Sequence, residues 1–187
     1  MIGEEGKMST FFVIFEKEKQ QIMKKREIIT EYGEYRLDEL PDDERRLVEQ
    51  AKRMTQTSHA PYSKFHVGAA ILMANGETVL GSNQENAAFS AGTCAERTAC
   101  FHASALYPGV AMKKIAIAAW TREHKPADAS DEECFQDSPI SPCGVCRQAL
   151  LEYENLHGPI RVIMYGREKT VVIPSVASLL PFCFTEF

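Results

Sequence analysis

The chain predicts a three-layer α/β/α fold. A five-stranded mixed sheet carries helices on both faces, and its last two strands are antiparallel. Three observations predict it. Helical and strand periodicities alternate as helix, two strands, helix, strand, helix, two strands, which calls for a mixed sheet covered on both sides. Asn75-Gly76 between two apolar runs is a strong hairpin turn. Only Gly166-Arg167-Glu168-Lys169 joins the final two strand-like segments. A parallel pair needs a dozen or more residues of crossover, so these two, if neighbours, are antiparallel.

The elements follow in order. Residues 1–25 read as an N-terminal extension. The first seven are polar and rich in Gly and Glu, and residues 16–26 are dominated by charge and Gln. Met23 is a plausible start, and the residues before it are expected to be dispensable. Residues 26–187 form one domain. Pro41 suits a first helical position, and Asp42, Asp43 and Glu44 suit the positive end of a helix. Leu47, Val48, Ala51 and Met54 then recur at three- and four-residue spacing and make one apolar face.

Residues 65–73 are rich in Val, Ala, Ile and Leu and read as a buried strand. Residues 78–80 are its hairpin partner. Residues 83–92 form a polar loop. A helix over 93–106 is stopped by Pro108-Gly109. Residues 114–120 are the third strand. Residues 121–141 form a long acidic loop, and loops of that length are usually functional or mobile. Ser141 suits the cap of the next helix and Pro142 its first turn, with the helix ending near Tyr153. Residues 161–165 and 170–173 are the last strands, and a short helix around 175–180 precedes an aromatic tail.

Composition narrows the class. A chain of 187 residues with 44% hydrophobic and 25% charged residues has an ordinary globular balance and enough length for a sizeable core. The net charge of −5 is not the footprint of a nucleic-acid partner. No apolar run approaches the ~20 residues of a membrane span, and none resembles a secretory signal. The expected location is the cytoplasm. Six cysteines, two of them in a Cys-x-x-Cys, then favour metal or redox chemistry over a disulfide framework. Cys100, Cys134 and Cys183 lack any partner spacing and read as buried or incidental thiols.

The chemistry concentrates in two segments, Thr93-Cys94-Ala95-Glu96-Arg97 and Pro142-Cys143-Gly144-Val145-Cys146. Cys143 and Cys146 are three residues apart, so on a helix they share one side at ~5–6 Å between Cβ atoms. Each motif falls at a predicted helix start, where the positive dipole end favours thiolate. Cys94, Cys143 and Cys146 are therefore candidate ligands of one zinc ion. Three protein ligands leave a position for water, and Glu96 is the candidate proton carrier beside it. Three thiolates on a dication leave a net charge near −1, which Arg97 and Arg147 are placed to offset. A second reading stands beside this one. Thr93-x-x-Glu96 is also a capping box, in which Glu96 does no more than close a helix end. A structural zinc site takes four protein ligands, and His59, His66, His102, His124 and His157 are scattered singles.

The same segments resemble the cytidine deaminase family, in its short form with a three-cysteine zinc. The resemblance extends to Ala60-Pro61-Tyr62-Ser63-Lys64-Phe65-His66-Val67-Gly68-Ala69-Ala70, to Asn83-Gln84-Glu85-Asn86-Ala87, and to Leu179-Leu180-Pro181 followed by Phe184. It covers residues from about Asp38 to Phe184 in the family's order. It implies hydrolytic deamination of cytidine and deoxycytidine, with one Zn²⁺ per chain on Cys94, Cys143 and Cys146. By that similarity Glu96 moves the protons, Asn83 and Glu85 bind the ribose hydroxyl, Ala95 contacts the base through its backbone, and Phe65 packs on the pyrimidine. Arg97 moderates the thiolates' charge. The family's short form is a homotetramer, and Phe184 is the candidate to reach a neighbour's site.

Read without the resemblance, Asn83 and Glu85 are an ordinary polar loop and Phe65 is core. The chain departs from the family pattern in its extension, in the length and acidity of residues 121–141, and in Phe89, where Tyr is common. A blasticidin-type aminonucleoside deaminase shares the metal motifs. Polynucleotide deaminases usually carry His at the first motif and end on parallel strands. A structural zinc module predicts a Glu96 that only caps.

Overall fold

The computed structural model describes residues 25–121 and 127–185. The proposed start at Met23 and the extension before it lie outside the described residues. The sheet has six strands in the order β1-β6-β5-β4-β2-β3. They are β1 (Gly33–Tyr35), β2 (His66–Met73), β3 (Thr78–Ser82), β4 (Met112–Trp120), β5 (Arg161–Met164) and β6 (Thr170–Ile173). The count corrects the expected five. The extra strand, β1, is three residues long, largely exposed, and pairs antiparallel with β6 at the sheet edge. Gly33-Glu34-Tyr35 has no apolar alternation, so its strand character comes from the open edge of β6.

The expected antiparallel end of the sheet is present, with Val162 opposite Ile173 and Met164 opposite Val171. β4 and β5 are parallel and the remaining neighbours antiparallel. Alternation along the strands sorts side chains into two cores. Val67, Ala69, Ile71 and Met73 of β2, with Ile115 and Ile117 of β4, face α2 (Ala95–Leu106) and α3 (Gly144–His157). Ala70, Ala116, Ala118 and Ile163 face the other way, onto Leu47, Val48 and Ala51 of α1 (Asp42–Met54). The two faces of the sheet thus meet different helices, and the three layers follow.

All three helices begin slightly later than expected. Pro41 is the N-cap of α1 instead of its first residue. Cys94 and Cys143 are the N-caps of α2 and α3. Ser141 does not cap α3; its hydroxyl accepts a hydrogen bond from Arg147 Nη2 at 2.8 Å. Residues 175–180 contain a 3₁₀ turn, Val176–Leu179.

The described part of the long acidic segment is folded onto the protein. Cys134 and Phe135 are buried, Thr121 N–H donates to the Cys134 carbonyl at 3.0 Å, and Gln136 N–H donates to the Ala119 carbonyl at 3.1 Å. Glu132 accepts from Lys52 Nζ at 2.8 Å. Phe135 joins the core shared with α1, and that anchors the chain just before it enters the site.

Candidate metal centre and active-site cavity

Each metal-site thiol sits in the first turn of a helix. Cys94 and Cys143 have the extended backbone of N-cap residues, and neither side chain caps its own helix. Their sulfurs are left to face one another across the gap between α2 and α3. Cys94 Sγ lies 3.8 Å from Cys143 Sγ, and Cys143 Sγ lies 3.4 Å from Cys146 Sγ. All three sulfurs fall within 4.8 Å of one another. A tetrahedral zinc with Zn–S bonds of ~2.3 Å needs sulfurs ~3.8 Å apart, so the donor set fits that ion.

The thiols do not ionise alike. Cys94 is held down to about 5 by a hydrogen bond from the Cys146 thiol, then by the Arg97 guanidinium and the Cys143 thiol, against its own burial. Cys146 is pushed up, because it donates to Cys94 and is desolvated. The first negative charge therefore settles on Cys94. The Arg97 guanidinium hydrogen-bonds the Cys94 and Cys146 sulfurs. Arg147 does not. Its three donors reach the Pro142 carbonyl at 2.8 Å, the Leu179 carbonyl at 3.0 Å and Ser141 Oγ. The expectation that Arg147 offsets thiolate charge is corrected: it clamps backbone.

Glu96 is the second residue of α2 and is 4% exposed. A capping box from Thr93 would need the helix to start at Thr93, but the cap is Cys94 and Glu96 is one position short of the capping place. The capping reading fails on that geometry. Burial pushes the Glu96 carboxyl up to about 7, with the negative charge of Cys94 adding to the effect. A carboxyl poised near neutrality suits both taking and giving a proton.

Glu96, Cys94 and Cys143 share a cavity of about 400 Å³ with Phe65, Asn83, Glu85 and Arg97. These come from four regions of the chain: the entry to β2, the loop after β3, and the starts of α2 and α3. Ala95, the first residue of α2, is buried beside them; its N–H belongs to the first-turn amides that a helix leaves unpaired internally. Ile140 and Ser141 also line the cavity. Nothing in the sequence marks Ile140, which arrives at the end of the anchored acidic segment. Phe89 is on the cavity rim and 95% exposed. Phe184 lies apart from its own chain's cavity. Its backbone N–H and carbonyl bond the Gln148 side chain at 3.3 and 2.7 Å, and its ring is exposed.

The profile of the cytidine and deoxycytidylate deaminase zinc-binding region matches residues 41–158, which include both thiol motifs. The chain belongs to the cytidine and deoxycytidylate deaminase family. Among relatives, this deaminase is 36% identical over 145 residues to the cytidine deaminase of Sporosarcina psychrophila, covering 77% of this chain and 93% of that one. It is 32% identical over 140 residues to a probable cytidine deaminase of Dictyostelium discoideum, covering 74% and 82%. Its fold is similar to the crystal structure of cytidine deaminase from Burkholderia pseudomallei, with a TM-score of 0.59 and 37% identity over 74% of this chain and 97% of that one. The Mycobacterium tuberculosis cytidine deaminase superimposes with a TM-score of 0.58 at 25% identity, over 78% and 100%. The deaminase thus carries its three zinc thiols within a fold shared with those structures.

Proposed function

We propose that the protein hydrolyses cytidine and deoxycytidine to uridine and deoxyuridine, releasing ammonia. The observation that carries this reading is the buried Glu96 carboxyl in the wall of one cavity with Cys94 and Cys143, whose sulfurs cluster with that of Cys146. The relatives named cytidine deaminases support it. Cys94, Cys143 and Cys146 would hold a zinc ion, which would supply a Lewis acid able to lower the pKa of a water. Glu96 accepts that water's proton, delivers a proton to N3 of the base, and later protonates the departing amine at C4. Arg97 keeps the thiolates from accumulating excess charge. Phe65 packs on the pyrimidine, the Ala95 backbone meets the base, and Asn83 and Glu85 bind a ribose hydroxyl. Water enters and ammonia leaves, so no redox partner is needed.

The finer reading is a homotetramer acting in pyrimidine salvage in the cytoplasm, with Phe184 reaching a neighbour's site. Exposed Phe89, Phe182 and Phe184 support subunit contacts. No described helix is long and apolar enough to cross a membrane. A panel of cytidine, deoxycytidine, cytidine monophosphate, cytosine and blasticidin on purified protein tests the substrate. Ammonia from the two nucleosides is expected. Turnover confined to blasticidin or to the nucleotide overturns the reading. Light scattering on the same sample tests the tetramer, and a monomer at working concentration sinks it.

A further inference from the structure

We infer that Asn83 and Glu85 splint residues 62–67 and are positioning residues for Phe65. The β2–β3 ladder ends at Gly68 opposite Ser82. Asn83 comes next, and its N–H donates to the Val67 carbonyl at 3.1 Å. An antiparallel pair of this kind also needs the Val67 N–H bonded to the Asn83 carbonyl. That carbonyl has turned away and accepts from His59 N–H at 3.0 Å. The Asn83 side chain takes its place. Oδ1 accepts from Val67 N–H at 2.8 Å, and Nδ2 donates to the Phe65 carbonyl at 2.9 Å. The amide thus continues the ladder past the strand end and grips the backbone on both sides of His66.

Glu85 holds the other end of the same segment. Its Oε2 accepts from Tyr62 N–H at 2.9 Å and from Ser63 N–H at 3.2 Å. Between the two grips lies Lys64 at φ 56°, the one non-glycine residue with positive φ among the described residues. A lysine in the left-handed region is unfavourable and persists where its surroundings over-determine it. Ser63 Oγ accepts from Phe65 N–H at 3.1 Å and Lys64 N–H donates to the Ala60 carbonyl at 3.1 Å, which closes the turn. The residue delivered by this turn is Phe65, on the cavity wall. An amide nitrogen carries two hydrogens and each carbonyl-type oxygen two lone pairs, so the splint leaves both side chains capacity to meet a ribose hydroxyl as well.

The activity arm of the test rests on the deaminase reading, and the exchange arm does not. Asn83→Ala, Glu85→Ala and Glu85→Gln are compared by amide hydrogen exchange over residues 60–68, with α1 as internal reference. Kinetics are measured on deoxycytidine and on 2′,3′-dideoxycytidine. The alanine variants are expected to lose protection in 60–68 while α1 keeps it. They are also expected to lose about tenfold in kcat/KM on both substrates, the size of one or two hydrogen bonds. Glu85→Gln retains one acceptor oxygen and should keep most of the protection. Unchanged exchange over 60–68 overturns the splint. So does a kinetic penalty that vanishes on the dideoxy substrate, because the two residues would then act through the ribose alone. If wild-type protein releases no ammonia from cytidine, the functional reading fails and exchange still decides the splint. Should Asn83→Ala not fold, the Glu85 pair carries the comparison.

Discussion

Gly81 of β3 meets Ala99 of α2 backbone to backbone: a Cβ on Gly81 would stand 2.4 Å from the Ala99 nitrogen and 2.7 Å from the Ala95 carbonyl oxygen. No side chain fits there, so α2 packs directly on the β3 backbone. That contact sets the height of the first turn, which carries Cys94 and Glu96. Gly81→Ala must push α2 outward. It is expected to cost about 1–3 kcal/mol or more by overpacking and to lower zinc per chain. Urea denaturation and elemental analysis check both. Full stability with full zinc would show that the helix seat is loose.

Glu96→Gln keeps the shape of the side chain and removes its proton transfer. Turnover of cytidine should fall by roughly 10²–10⁴, the usual worth of a general acid–base group. Zinc content and melting temperature should hold, since the buried position loses only a carboxyl that burial already disfavours as an anion. Persisting deamination would remove Glu96 from the mechanism.

Arg147 ties the Pro142 carbonyl, just before Cys143, to the Leu179 carbonyl, which lies 32 residues beyond Arg147 itself. Arg147→Ala should destabilise the protein by about 1–3 kcal/mol and speed zinc loss to a chelator. Arg147→Lys keeps the charge but cannot span three acceptors with a planar fork, so it should rescue little. Equal zinc off-rates in Lys, Ala and wild-type proteins would refute the clamp.

Glu44 is buried and accepts from both Lys114 Nζ and Arg161 Nε at 2.8 Å, while Asp43 also binds Lys114. The hydrogen bond from Lys114 lowers the Asp43 carboxyl below its ordinary 3.8. A depressed acid stabilises above its unfolded pKa and loses that contribution as pH falls through the folded one. Lys114 itself is raised above 10.5 by Asp43 and Glu44, against its own desolvation, so its share is present below that value and lost above it. Lys114→Met should therefore lower the urea midpoint through the neutral range. The gap to wild type should narrow below about pH 3.8 and above about pH 10.5. A gap independent of pH would mean the loss is packing alone.

A chain beginning at Met23 is expected to fold and to match the full chain in kcat/KM. Circular dichroism and the cytidine assay check this. Loss of folding would assign residues 1–22 to the domain.

Local pattern located the site but not its detail. The spacing of Cys94, Glu96, Cys143 and Cys146 marked the chemistry, because a metal needs specific donor atoms at fixed intervals. Thr93 and Ser141 look like the better helix caps by residue type. The helices instead take Cys94 and Cys143 as their N-caps, and neither side chain caps its own helix. β1 was hidden as well: Gly33-Glu34-Tyr35 is a strand only against the edge of β6. Arg147 stands next to Cys146 in the chain, yet adjacency says nothing of direction, and its guanidinium turns to Pro142 and Leu179.

By itself the sequence determined the three-layer class, the antiparallel end of the sheet and the identity of the zinc thiols. Each of these follows from short-range periodicity, loop length or donor chemistry. Only the tertiary structure decided that the three sulfurs converge, that Glu96 is buried beside them, and that Asn83 and Glu85 grip the turn behind Phe65. Those facts depend on how α2 and α3 seat on the sheet and on backbone groups far apart in the chain. Long-range packing of that kind leaves no periodic trace.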